Sequence, residues 1–170
     1  MVSVICPIYN EEKYITKCIE SVLEQDYPTE DLEILFVDGL STDKTRKIVS
    51  DYATRYNQIR LLDNPHRIVP YAMNIGIKAA KGDIIIRLDG HVEYPTNYIS
   101  KCVHYLMTLP NAENVGGVCQ TLPCNERNIS QAIAIALSTG FGMGNSSFRI
   151  GSTEIRKVDT VPFGCFRKSL

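Results

Sequence analysis

KGDIIIRLDGHVEYP, Lys81 to Pro95, passes from a glycine turn through a β-branched apolar run into a polar cluster. Ile84-Ile85-Ile86 is too short for a helix and is bounded by breakers, so it reads as a buried strand that Leu88 continues. The strand delivers the Asp89 carboxylate and the His91 imidazole to its carboxyl end, the edge where ligands bind in open α/β sheets. Side chains at i and i+2 point the same way on extended backbone, so Asp89 and His91 can share one cation. Gly90 between them lets a phosphate or metal approach the main chain. The same residues also suit a polar turn leaving a strand, and the flanking chain has to decide.

Upstream, Val2 to Ile8 is an apolar run, a first strand closed by Pro7 and Asn10. Asn10 is expected to cap the next helix, with Glu11 and Glu12 at its positive end. Ile15, Cys18, Ile19, Val22 and Leu23 then recur at helical spacing until Asp26-Tyr27-Pro28. Leu32 to Val37 is a second buried strand ending at Asp38-Gly39. Ser41-Thr42-Asp43 opens a helix striped by Ile48, Val49, Tyr52, Ala53 and Tyr56. Ile59 to Leu62 is a third strand, stopped by Asp63-Asn64-Pro65, and Pro70 sits in the first turn of a helix carrying Ala72, Met73, Ile77 and Ala80.

Downstream, Thr96 opens a helix with Ile99, Cys102, Val103 and Leu106 inward. Val115 to Leu122 reads as a fifth strand and Gln131 to Leu137 as a short helix. Gly140, Gly142 and Gly144 with Asn145-Ser146-Ser147 read as a flexible loop. Ile155 to Val161 reads as another strand, followed by a turn at Pro162-Phe163-Gly164. Strand–helix alternation through residue 110 implies an α/β domain, its central sheet mostly parallel with helices on both faces.

At 170 residues the chain holds one domain with a real core. A balance of 18 basic and 19 acidic residues supplies no field to recruit nucleic acid or an anionic membrane. No apolar run is long enough to span a bilayer, and Met1-Val2-Ser3 leads straight into a strand, so no signal peptide is expected. Of the cysteines at 6, 18, 102, 119, 124 and 165, Cys6, Cys18, Cys102 and Cys119 fall in apolar patterns, as reduced cysteines do, and none of the six forms a CxxC pair, which argues against structural zinc or a redox dithiol. A cytoplasmic location is the expectation.

Three strands end in polar clusters: Tyr9-Asn10-Glu11, Asp38-Gly39 and Asp89-Gly90-His91. In a parallel sheet they fall along one edge and build one site. Neither GxGxxG nor GxxxxGK[ST] occurs, so a bound phosphate needs another counter-charge. A divalent cation held by Asp89 and His91, helped by Arg67 or Lys44, supplies it. A binding or scaffold module is the competing class. A receiver-like phosphoacceptor fits poorly, because Glu11-Glu12 imitates its acidic pair badly.

CPIYNEEKYITKCIESVLEQDYP, ILFVDGLSTDKT and NIGIKAAKGDIIIRLDGHVEYP, in that order, resemble family 2 glycosyltransferases, inverting enzymes with the GT-A nucleotide-sugar-binding fold. The likeness covers essentially the whole chain. It is nearest the exopolysaccharide-synthesis type with Asp-x-His in place of Asp-x-Asp. The resemblance implies that Pro7, Tyr9 and Glu11 hold the uridine, that Asp38 accepts from the uracil ring, and that Arg67 lies near the nucleotide. It implies that Asp89 touches ribose and metal and that His91 replaces the usual direct metal ligand. Imidazole suits Mn²⁺ better than Mg²⁺. Gly39-Leu40 departs from the family's usual Asp-Gly.

The resemblance implies a nucleotide-sugar donor, UDP-linked, and a glycan or lipid-linked acceptor. The family's general base lies beyond the motif matched by VDTVPFGCFRKSL, Asp159 being a weak substitute. Residues 1–110 are then expected to form a nucleotide-binding half and 111–170 the start of an acceptor-binding half, truncated at its carboxyl end. Any membrane association would come through segments outside this chain, at the cytoplasmic face.

Overall fold

The computed structural model describes residues 1–144, 146–152 and 154–170. Four parallel strands, β1 (Val2–Ile8), β2 (Leu32–Asp38), β3 (Ile59–Asp63) and β4 (Ile84–Arg87), form the body of the sheet. Two short strands, β5 (Asn114–Val115) and β6 (Cys165–Arg167), complete it, and the order is β3-β2-β1-β4-β6-β5. β6 runs antiparallel to both β4 and β5. The expected mostly parallel α/β sheet is therefore what forms, and its architecture is that of the GT-A fold.

Strand parity sorts the core into two layers. Val2, Val4, Cys6 and Ile8 of β1, with Ile34 and Phe36 of β2 and Ile86 of β4, meet the buried faces of α1 (Ile15–Leu23), α2 (Thr45–Ala53) and α4 (Tyr98–Thr108). The intervening residues Ile5, Leu35, Val37 and Ile85 meet α3 (Val69–Ala79) on the other face. Continuous apolar runs are what strands buried on both faces require. Ile15, Ile19 and Val22 are essentially inaccessible, each contributing about 1.5–3 kcal/mol of burial. At the amino ends of the strands the buried Glu33 is satisfied by the Ser3 hydroxyl at 2.6 Å and the Lys81 N–H.

Several boundaries differ from expectation. α1 begins at Ile15, not after Asn10, because Asn10 adopts a φ of 56° and spends its carboxamide oxygen on the Thr42 N–H. α2 begins at Thr45, whose N–H bonds the Asp43 carboxylate. The strand expected over Val115–Leu122 ends at Val115, since its partner β6 offers only Cys165 and Phe166 for pairing. Ile155–Val161 is not a strand; the run is exposed from Ile155 to Thr160 and pairs with nothing in the sheet. The strand forms later, at Cys165–Arg167. Within the expected glycine loop, Gly140–Met143 and Ser147–Ile150 are single helical turns, α6 and α7, while Asn145 lies outside the described residues.

Two compact units result: Met1–Val115 with Phe163–Leu170, and Gly116–Pro162. The second holds α5 (Asn128–Leu137), α6 and α7, with the Cys119 N–H bonded to Phe148 O at 2.7 Å. Ile129, Ile133, Ile135 and Phe141 of this unit are exposed. Among the described residues no helix is long and apolar enough to cross a membrane.

Candidate functional site

The loops after β1 and β2 are stitched together. The N–H groups of Asn10, Glu11 and Glu12 donate to Ser41 Oγ, Thr45 Oγ1 and Asp43 Oδ2 at 2.8, 2.7 and 3.1 Å. In return Asn10 Oδ1 and Glu12 Oε2 accept from the N–H groups of Thr42 and Lys44. Beneath this seam the Gly39 N–H bonds Ile8 O at 2.8 Å. A Cβ on Gly39 would stand 3.1 Å from the Tyr9 ring and 3.4 Å from Arg67 Cα, so glycine here lets those two residues approach. Non-glycine residues with positive φ follow each of the first three strands, at Asn10, Leu40 and Arg67. Such conformations cost of order 1 kcal/mol or more each and gather where a site needs a particular loop shape.

The strand order places a topological switch between β1, whose earlier connections run toward β2 and β3, and β4 on its other side. A cleft of about 150 Å³ opens there, on the α3 face. Pro7, Tyr9, Glu11, Arg67, Asp89 and His91 all line it, together with Ile68, Val69 and Ala72 from the start of α3. No side chain caps α3, and Pro70 occupies its first turn. The positive end of the helix dipole therefore adds to the two cleft arginines as a counter-charge for an anion.

At the β4 end, the Asp89 N–H donates to the Tyr94 hydroxyl at 2.8 Å, which fixes the turn from below. Burial pushes the Tyr94 phenol well above its ordinary range, so it stays a neutral strut. Arg87, two residues earlier on the same face, reaches the Asp89 carboxylate with Nε at 3.1 Å and Nη2 at 3.4 Å. His91 Nδ1 lies 2.9 Å from Glu11 Oε1. A proton on Nδ1 bonded to that carboxylate leaves the Nε2 lone pair available, the arrangement that orients metal-binding histidines. Gly90 serves packing: its Cβ would lie 2.7 Å from Ile8 Cγ2 and 3.5 Å from Glu11 Cγ.

Among the described residues no three His, Cys, Asp or Glu side chains converge to hold a metal by themselves. One carboxylate and one imidazole with a supported Nδ1 nevertheless fit a cation whose remaining ligands are phosphate and water oxygens.

Asp38 is not brought into the cleft. It is fully buried, ion-paired to Arg46 Nη1 at 2.7 Å and bonded to the Ser41 N–H at 2.9 Å and the Ser41 hydroxyl. Its observed partners are thus those of a loop anchor. Lys44 does not line the cleft either. Asn64 and Arg87 line it as well, Arg87 being the arginine that precedes the Asp-x-His motif. Asn64 accepts from the His66 N–H and donates to Ile68 O, shaping the loop that presents Arg67. The spacing of Arg87 to Asp89, i to i+2, is the signal that points to it.

A mostly parallel sheet with a polar cleft at its switch point is the architecture of a ligand-binding α/β domain. Residues 3–164 match glycosyl transferase family 2, and the chain belongs to that family. It is 36% identical over 153 residues, 86% of its length, to the dolichyl N-acetyl-α-D-glucosaminyl phosphate 3-β-D-2,3-diacetamido-2,3-dideoxy-β-D-glucuronosyltransferase of Methanococcus voltae. It is 31% identical over 151 residues, 88% of its length, to the succinoglycan biosynthesis protein ExoA of Rhizobium meliloti. The chain spans 47% and 44% of those two proteins. Among solved structures, a mannosyltransferase from Pyrobaculum calidifontis in complex with GDP-Man and Mn²⁺ is similar at TM-score 0.64 and 28% identity, over 81% of this chain and 40% of that one.

Proposed function

We propose that this chain is the donor-binding part of an inverting glycosyltransferase that moves a sugar from a nucleotide-sugar, UDP-linked, to a glycan or lipid-linked acceptor in polysaccharide synthesis. One observation carries the reading: Pro7, Tyr9, Glu11, Arg67, Asp89 and His91, distant in sequence, surround one cleft at the switch point of the sheet. Pro7 and Tyr9 offer flat apolar surface to a base, Arg67 a charge to the nucleotide, and Glu11 holds the His91 ring. Asp38 acts through the loop it anchors. Asp89 and His91 are the residues to hold a divalent cation, Mn²⁺ in preference to Mg²⁺, and the Mn²⁺ complex of the Pyrobaculum calidifontis relative supports this choice. When bound, such a cation supplies Lewis-acid neutralisation of the leaving diphosphate. The Methanococcus voltae relative, named for a dolichyl-linked acceptor, supports the lipid-linked class. In this reading residues 1–110 are the nucleotide-binding half and 111–170 begin the acceptor half, working at the cytoplasmic face of a membrane.

Inversion also needs a base to take the acceptor's proton. Both cleft carboxylates are already engaged, Glu11 by His91 and Asp89 by Arg87, and this favours a second reading in which the chain binds donor without turning it over. Calorimetry with UDP or GDP, with and without MnCl₂, tests the first reading. UDP binding that strengthens with Mn²⁺ and is lost in Asp89→Ala is expected; binding indifferent to metal refutes it. Turnover by the chain alone would dismiss the second reading.

A further inference from the structure

Of the two arginines that line the cleft among the described residues, Arg87 has a carboxylate partner inside it. Its guanidinium and Asp89 lie on the same face of the β4 end, joined by two hydrogen bonds, with the arginine side chain 40% and the aspartate 23% exposed. β4 is held on both sides, by β1 and by β6, and the Arg87 N–H bonds Gly164 O at 2.9 Å, so the backbone that presents this pair is rigid. The side chain alone has room to move.

We infer that Arg87 is a carrier of positive charge between two partners: it neutralises Asp89 in the free protein and turns to the diphosphate of the donor once Asp89 binds a cation. The inference rests on the donor-site reading above. The charges of the cleft motivate it. Glu11 and Asp89 balance Arg67 and Arg87, so the free cleft is close to neutral and makes no strong pull on a bare cation. Were Asp89 to hold a cation, Arg87 would lose its partner, and an unpaired guanidinium beside a second positive charge would be unfavourable. A diphosphate oxygen pair is the partner that fits it, because the planar fork that meets a carboxylate also meets phosphate bidentately. Cation and diphosphate then bind cooperatively through one residue that occupies Asp89 only while both are absent. The established family membership does not require this device.

The test compares wild type with Arg87→Met, which keeps the length of the side chain and removes its charge. Mn²⁺ alone is titrated by electron paramagnetic resonance, and UDP and uridine are titrated by calorimetry at saturating Mn²⁺. The expected result is Mn²⁺ binding to the nucleotide-free variant that is tighter by about threefold or more, because the competitor for Asp89 is gone. UDP should bind roughly tenfold more weakly, the loss of a charge-assisted hydrogen-bonded pair, with uridine changed by less than about twofold. Should Arg87 merely brace Asp89, the variant would bind Mn²⁺ no better than wild type, or UDP and uridine would weaken alike; either result overturns the assignment. Arg87→Lys, which keeps charge but not the fork, is expected to shift Mn²⁺ and UDP in the same directions by smaller factors and serves if the methionine variant does not fold. Wild type that shows no metal-dependent UDP binding refutes the donor site itself, and the Arg87 assignment with it.

Discussion

Arg46→Met isolates the anchor of the β2–α2 loop. In the wild type Arg46 spans two carboxylates, Asp38 at 2.7 Å and Asp63 at 2.8 Å, and these bonds hold its guanidinium more firmly protonated than usual. Asp38 is 0% exposed whereas Asp63 is 61% exposed, so the two losses are unequal. Water takes over for Asp63, a change of less than about 1 kcal/mol. Asp38 keeps only the N–H and hydroxyl of Ser41, and a buried carboxylate stripped of its cation costs about 3–5 kcal/mol. Because the Arg46 side chain is itself 36% exposed, water enters when it is cut back, and about 2–3 kcal/mol is the reasoned loss. For a chain of 170 residues that lowers Tm by about 4–12 °C. Urea denaturation followed by circular dichroism measures it. Asp63→Asn is the control, expected to stay within about 1 kcal/mol of wild type. An Arg46→Met protein within about 0.5 kcal/mol of wild type would refute the view of Asp38 as a structural anchor.

Three further outcomes are expected. Gly90→Ala drives a methyl to 2.7 Å from Ile8 Cγ2, so stability measured by urea unfolding should fall by about 1–3 kcal/mol, and Mn²⁺-dependent UDP binding should weaken as Glu11 and His91 are pushed apart. Ellman's reagent should modify Cys124 fast and Cys119 more slowly, while Cys6, Cys18, Cys102 and Cys165 react only on unfolding; rapid labelling of Cys165 would contradict its burial. Burial pushes the Cys165 thiol up to about 12 from an ordinary value of 9.0. The unfolded chain therefore releases that proton first, so stability is full below pH 9 and falls as pH rises toward 12. Urea midpoints at about pH 8 and pH 10.5 should show this decline, shallower in Cys165→Ala.

The four parallel strands were legible because each is a run of β-branched or aliphatic residues, bounded by breakers and buried on both faces. β4 was the plainest, and the alternation of helices between strands fixed the direction of the rest. What failed was governed by distant partners. Asn10 looks like a cap beside its own helix, yet its oxygen binds Thr42, thirty-two residues away. β6 is three residues long and follows Pro-Phe-Gly, so nothing local marks it; β4 on one side and β5 on the other create it. Ile155–Val161 has the composition of a strand and no neighbour to pair with. At the site, the residue types at the strand ends indicated the cleft, whereas the pairing of Asp38 with Arg46, eight positions on, is a tertiary contact that no local signal gives.

The late arrival of β6 also has a consequence for biosynthesis. β4 ends at Arg87 and its neighbour begins at Cys165, 78 positions further along the chain. At about 5–20 residues per second, the ribosome needs roughly 4–16 s to produce the strand that closes that side of Ile84-Ile85-Ile86. During this interval an isoleucine edge with free N–H and C=O groups faces the cell, a template for pairing with the wrong chain. Lys81, Asp83 and Arg87 flank it with charge, the usual guard against such encounters. The arginine that serves the cleft in the finished protein would thus already protect the strand while the protein is being made.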